Sequence, residues 1–280
     1  MRLLFISRAY PPITGGIENQ NRDLALFLPR FAETQTLANT HGKKALPWFL
    51  PYALLAALFR MRHCDTLLLG DGVLGIVGWA VKLAYPKKKV ASVIHGLDLT
   101  FKSAFYQRFW VHFFLPRLDL LIAVSAATRA TALAKGLDPE KVIVIPNGID
   151  PESFTGSFSR ADLENLLGID LEGKIVLLTA GRLARRKGVA WFIEQVLPGL
   201  PENILYIVAG DGPDRESVAA AKKASPAKER ILLLGKVSDS DRNLLLGTAD
   251  IFVQQISKYP AIWKDSGLQI LKRLPLAGPW

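Results

Sequence analysis

Short apolar runs alternate with stretches of helical period along this chain. Residues 3–7, 66–69, 90–95, 120–124 and 142–145 are dominantly apolar, and 34–39 is a further candidate strand. Between them, 17–28, 50–60, 73–84, 105–115 and 126–135 carry the helical pattern. Strands apolar on both sides must be covered on both faces, which predicts a parallel sheet. Strands alternating with helices in this way predict a doubly wound α/β domain. The pattern breaks at Pro146, and the polar, turn-rich segment 151–159 reads as a linker. It then restarts with strands at 175–179, 205–209, 231–234 and 250–253, and helices at 191–196, 215–224 and 239–247. Two Rossmann-like domains are expected, 1–155 and 156–280, facing across a cleft between the carboxyl ends of their sheets, where open α/β sheets bind ligands.

Composition narrows the classes. Half of the 280 residues are apolar, enough for full cores. The single cysteine, Cys64, excludes an intramolecular disulfide and fits a reducing compartment. His63 beside it has no second ligand pair at metal-binding spacing, so no metal is expected. The formal charge of +10 leaves phosphorylated substrates and anionic lipid as partners. No basic region alternates with aromatics as in a nucleic-acid module, so nucleic acid is not expected. Met1-Arg2 runs straight into the first strand without a signal peptide, and the apolar stretch 48–59 contains Pro51 and is too short to span a bilayer. A cytoplasmic protein is expected. Segments 48–62 and 101–117 couple apolar residues to arginines. They are either core-packed helices with snorkelling cations or a peripheral surface for the inner membrane face.

The chemistry-bearing segments sit at strand-to-helix junctions. The apolar run 174–180 ends in Gly181-Arg182-Leu183, then Arg185-Arg186-Lys187-Gly188, then a helix. Glycine lets a ligand approach the backbone, a helix start offers free N–H groups, and Arg182 and Lys187 add positive charge: a phosphate site. Gly15-Gly16 follows the first strand and forms a small-residue loop at its carboxyl end, with Glu18 complementing the helix dipole. His95 ends a strand and is followed by Gly96 and Asp98, the latter a candidate cap for the next helix. Ser125 is a candidate N-cap. Gly210-Asp211-Gly212 lacks the third glycine of a dinucleotide fingerprint, which argues against NAD.

Read in order, Gly15-Gly16-Ile17-Glu18, His95-Gly96-Leu97-Asp98, Pro146-Asn147-Gly148-Ile149-Asp150, Gly181 to Gly188 and Gly210-Asp211-Gly212 resemble the retaining GT-B glycosyltransferases of family 4. The resemblance runs from Met1 to about Val253. It implies transfer of a sugar from a nucleotide-diphosphate donor, with no metal or cofactor, to a saccharide, lipid-linked or small-molecule acceptor. It implies that Gly15 and Gly16 line the active site, that His95 lies beside the donor sugar at the reaction centre, and that Arg182 and Lys187 hold the diphosphate. Asn147, Gly210 and Lys236 are implied at the donor, its nucleotide end and its base.

The chain departs from the family after Gln255. The family's E-x7-E element, which contacts the donor sugar and ribose, has no counterpart here. Codons for residues 256–273 can be chosen so that a shifted frame reads such an element; a frameshift and a natural short form are both open. The second domain is therefore expected to be incomplete, with its last strand at an uncovered edge, and the chain to be inactive as written. A non-catalytic binding remnant, or a GT-B sugar-nucleotide epimerase or phosphorylase, stays open beside the transferase.

Overall fold

The computed structural model describes residues 1–13, 15–148, 157–254 and the backbone of 269–272. These divide into two compact units, Met1–Ile149 and Asp150–Trp280.

In the first unit, β1 (Arg2–Ser7), α1 (Gly16–Phe27), β2 (Glu33–Ala38), α2 (Leu46–Arg60), β3 (Thr66–Leu69), α3 (Gly75–Ala84) and β4 (Lys89–Ile94) follow one another. Then come the short α4 (Gly96–Thr100), α5 (Ala104–Tyr106) continuing into a π-helix over Gln107–Phe114, β5 (Leu120–Ala123), α6 (Ala126–Ala134) and β6 (Val142–Val144). The six strands are all parallel, in the order β2-β1-β3-β4-β5-β6. Alternate residues serve opposite faces. Leu4 and Ile6 of β1 join the core under α2 and α3, with Ala53, Ala57, Val77 and Val81, while Leu3 and Phe5 pack with Leu24 and Ala25 of α1. This two-sided burial is why the strands are so apolar. Helix 105–115 was expected as one α-helix. Its centre is π-wound instead, and Tyr106 and Trp110 stack with ring centroids 5.3 Å apart.

The second unit runs α7 (Arg160–Leu167), β7 (Ile175–Ala180), α8 (Val189–Gln195), β8 (Ile204–Ala209), α9 (Arg215–Ala224), β9 (Ile231–Gly235), α10 (Asp239–Thr248), β10 (Ile251–Gln254) and β11 (Gln269–Lys272). The sheet order is β11-β10-β7-β8-β9, parallel except for the β10–β11 pair. Leu177, Tyr206 and Val208 pack with Val189, Phe192 and Val218 on one face. Val176, Leu178 and Ile207 pack with Leu163 and Leu245 on the other. The buried Tyr206 hydroxyl is satisfied by Thr179 Oγ1 at 2.8 Å, which in turn donates to Val253 O at 2.7 Å.

Two expectations are corrected here. The stretch ahead of β7 holds a helix, α7, capped by Ser159. Ser159 Oγ accepts from Asp162 N at 3.2 Å, and Asp162 Oδ2 accepts from Ser159 N at 2.8 Å. This reciprocal pair is a capping box. The last predicted strand is also not an uncovered edge. β10 lies between β7 and β11, with Val253 buried, Ile251 packed on one core and Phe252 on the other.

Candidate functional site

Two clusters form, each at the carboxyl end of its own unit's sheet. In the first unit, the loops after β1, β3 and β4, which are sheet neighbours, are tied together by Arg8. Its Nε donates to Asp71 Oδ1 at 3.0 Å, and its Nη2 lies 4.0 Å from Asp98 Oδ1. The free oxygen of Asp98 accepts the Gly72 N–H at 3.1 Å and the His95 N–H at 3.0 Å. Asp98 thus caps α4 from inside its first turn, reaching back to the residue before the helix. Asp71 Oδ1 also accepts the Val73 N–H at 3.0 Å. Asn39 Nδ2 braces the Arg8 carbonyl at 3.0 Å, and Asn21 Nδ2 holds the Ala9 carbonyl at 3.1 Å.

His95 sits in this cluster, at the end of β4. Its ring hydrogen-bonds the Gly70 backbone, and its Nε2 is buried with no partner among the described residues. The nitrogen that donates to the carbonyl is therefore Nδ1, leaving Nε2 as a bare acceptor. Burial pushes the imidazole below its ordinary value, with Asp71 pulling the other way, so His95 is neutral near pH 7. Burial likewise pushes Asp71 up to about 6, against the pull of Arg8. Asp98 is raised by burial, against hydrogen bonds from His95 and Gly72. For Arg8, desolvation acts downward but is outweighed by Asp71 and Asp98, and the guanidinium is held above its usual range.

Gly15 precedes α1, and the position of its missing Cβ is taken by Glu18, whose Oε2 would be 2.2 Å away. Gly16 opens α1 with nothing near a would-be Cβ. Asn147 is exposed at the end of the described part of this unit, with no partner recorded.

In the second unit, the loops after β7, β8 and β9 converge backbone against backbone. Gly181 N donates to Ala209 O at 2.8 Å, Gly210 N to Gly235 O at 2.6 Å, and Leu183 N to Asp211 O at 2.9 Å. A Cβ on Gly210 would fall 1.9 Å from Gly181 O, and one on Gly212 would fall 2.1 Å from Leu183 O. Only glycine fits this contact. Lys187 folds back over it, its Nζ 2.9 Å from where a Gly181 Cβ would stand. Desolvation, then the neighbouring Arg186, lowers the Lys187 ammonium below its ordinary range. No carboxylate pairs with it among the described residues. Arg182 is exposed beside it, and exposed Lys236 directly follows Gly235. The structure therefore brings Arg182, Lys187, Gly210 and Lys236 to one edge. Helix α8, expected to aim its N-terminus at a phosphate, has only seven residues, so glycine backbone and Lys187 are the stronger features.

Residues 14–153 match the sequence family described as Glycosyltransferase Family 4, half of the chain, and residues 174–271 match Glycosyl transferases group 1. The chain belongs to glycosyltransferase family 4. A UDP-Gal:alpha-D-GlcNAc-diphosphoundecaprenol alpha-1,3-galactosyltransferase from Escherichia coli is 30% identical over 142 residues, 49% of this chain and 35% of that protein. A phosphatidylinositol N-acetylglucosaminyltransferase from Arabidopsis thaliana is 31% identical over 147 residues, 51% of this chain and 31% of that protein. The matched segments thus span about a third of these curated relatives. Among solved structures, Anabaena Alr3699/HepE in complex with UDP superposes with a TM-score of 0.72 at 20% identity, covering 92% of this chain and 75% of that one. The apo lipopolysaccharide outer core galactosyltransferase WaaB gives 0.63 at 15%, covering 91% and 74%. These likenesses fix the fold class as α/β, of GT-B type.

The family's motifs mark His95 and the Gly181–Gly188 turn, but not Arg8 or Asp71. Those two lie 63 positions apart, in loops where a charge reads as solvated. The signal that finds Asp71 is its place between Gly70 and Gly72. A Cβ at Gly70 would strike Asn21, and one at Gly72 would crowd Asp98.

Of the two candidate membrane segments, α2 exposes Trp48, Tyr52, Leu55 and Phe59 on one helical face, between Lys43-Lys44 and Arg60. In 101–117, Phe101, Phe105 and Phe109 are exposed, while Phe114 is buried and Trp110 ties to Val73 O at 2.7 Å. No described helix is long and apolar enough to cross a membrane. An open groove of about 760 Å³ lies between Gln35 and Thr36 of β2 and the aromatic face of α2, and no residue of either cluster lines it.

Proposed function

We propose that this chain belongs to a glycosyltransferase moving a sugar from a nucleotide-diphosphate donor to an acceptor with retention. The donor diphosphate is assigned to the carboxyl edge of the second unit's sheet. The observation that carries this is Lys187: a half-buried cation without a carboxylate partner among the described residues, laid over a glycine contact that leaves the backbone open. A desolvated ammonium without a counter-ion calls for an anion. Lys187 and Arg182 would hold the two phosphates and offset the charge that develops on the leaving diphosphate. Gly210 provides the close approach, and Lys236 lies where a base or ribose would reach. His95 in the first unit, neutral with Nε2 as acceptor, suits a sugar hydroxyl. Gly15, Gly16 and Asn147 are assigned to the substrate loops. Acceptors of saccharide, lipid-linked or small-molecule type all fit.

Support comes from relatives whose names describe hexose and N-acetylhexosamine transfer, and from the structural neighbour holding UDP. The α2 face adds a peripheral contact with anionic lipid, its aromatic stripe inserting at the headgroup boundary between flanking cations. Residues 255–280 contain no glutamate, and that absence of an E-x7-E element favours a second reading: a protein that binds donor and acceptor and transfers nothing. Incubation with radiolabelled UDP-glucose and analysis of products separates the three. Labelled glycoside supports transfer, an epimerised nucleotide sugar supports an epimerase, and retained but unchanged donor supports the binding protein. No retention of any labelled nucleotide sugar would overturn donor binding.

A further inference from the structure

We propose that the recess around Asp71, His95 and Arg8 binds an uncharged hydroxyl of a saccharide or polyol, and that Asp71 makes it discriminate against phosphorylated or carboxylated ligands. This deepens the acceptor side of the function proposed above and rests on it only for its place in the reaction.

The carboxylate of Asp71 is fully buried, yet it uses one oxygen for two contacts and leaves the other with none. His95 Nε2 is also buried and unpartnered, as is the Tyr106 hydroxyl. An unpaired buried polar atom costs about 1–3 kcal/mol, so an isolated one is unusual and several around a single clasp point to a ligand. Asp98 is not part of the unfilled set, because both its oxygens are engaged and its work is to hold the loops. What remains is a set of acceptors, Asp71 Oδ2 and His95 Nε2, beside an arginine that is partly open to solvent.

The charge of the recess selects the ligand. Arg8 faces two carboxylates, so its charge is already spent inside the protein. A phosphate or carboxylate entering here would meet a surplus of negative charge and bare lone pairs. A sugar hydroxyl meets what it lacks: acceptors for its proton and guanidinium N–H groups for its oxygen. The chemistry is thus opposite to that of the second unit's edge, where Lys187 calls for an anion.

The test uses the full chain with nitrogen-labelled histidine. Methyl glucoside, methyl galactoside, N-acetylglucosamine and glucose 6-phosphate are titrated near neutral pH while the His95 imidazole signals are followed. The neutral sugars should move the Nε2 signal, and glucose 6-phosphate should bind at least roughly tenfold more weakly than methyl glucoside. Asp71→Asn keeps an oxygen for Arg8 and Val73 but turns the free acceptor into a donor. It should weaken the sugar response roughly tenfold while leaving UDP binding unchanged. In the wild type the response should fade as pH drops through about 6, the value to which Asp71 is raised. The other groups bearing on this titration are Arg8, Asp98, Tyr106, Glu18 and His95 itself, which also loses its acceptor on protonation. No shift with any neutral sugar, equal binding of glucose 6-phosphate, or a pH-independent response would overturn the proposal, even if Asp71→Asn fails to fold. UDP binding without a sugar response removes this site alone. A sugar response without UDP binding removes the donor assignment alone.

Discussion

Gly210→Ala tests whether the second unit's loops are packed as tightly as their backbone contacts require. Gly210 has φ +152°, a region that side chains rarely adopt, and its Cβ would lie 1.9 Å from Gly181 O. To accept an alanine, that carbonyl would have to retreat by more than an ångström. The move would strain Gly181 N→Ala209 O and Gly210 N→Gly235 O, the two bonds that seal the edge. The backbone strain is worth about 1–3 kcal/mol and the overpacking a similar amount, so the loss should fall at about 2–6 kcal/mol. Against a net stability of about 5–15 kcal/mol for a domain, that is a large fraction. The control is Gly199→Ala in the same unit, whose Cβ would meet nothing within 4 Å. Urea unfolding of the full chain, followed by circular dichroism and limited proteolysis, reads both variants. Gly210→Ala should lower the midpoint and expose the second unit to cleavage, while Gly199→Ala should change little. Equal midpoints for the two variants would refute the tight-contact geometry.

Asp98→Ala should destabilise the first unit by about 3–5 kcal/mol, because it strands two buried N–H groups and removes a partner of Arg8; an unchanged urea midpoint would contradict this. Asp71 titrates at about 6 when folded and at about 3.9 when unfolded, so the folded state holds its proton more tightly. Its contribution therefore favours folding below about pH 4, is lost as pH rises to about 6, and stays lost above, a fall of about 2–3 kcal/mol. Asp71→Asn should remove that component from the difference between unfolding midpoints at acid and neutral pH, and a variant with the wild-type pH slope would speak against it. On vesicles, the chain should co-sediment with anionic lipid more than with neutral lipid and less as salt rises. Leu55→Asp with Phe59→Asp should abolish the preference, and no preference in the wild type would remove the membrane contact.

The architecture was legible because burial on both faces leaves a plain trace. Each parallel strand is an apolar run, and the ten strands expected from sequence all appear, with ends shifted by a residue or so. Helix α7 escaped because the polar run ending at Ser159 read as linker, although Ser159 and Asp162 already spelled its cap. β11 escaped because its pairing with β10 is antiparallel and far in sequence. In the site, Lys187 and Gly210 were legible as glycine and cation after apolar strands. Arg8 and Asp71 were not, since only the sheet order β1-β3-β4 brings positions 8, 71 and 98 together. The π-winding of 107–114 has no sequence signature that we can identify.

The assignment of a nucleotide-diphosphate donor to the second unit is tested most directly by calorimetric titration of UDP, GDP and ADP into the wild-type chain and into the Arg182→Ala, Lys187→Ala double variant. At least one nucleotide should bind the wild type, and each charge removed should weaken it by about 1–3 kcal/mol, so that the double variant binds roughly thirtyfold or more weakly while its unfolding midpoint is kept. Equal affinity for wild type and double variant, or no binding of any of the three nucleotides to a folded wild type, would contradict it.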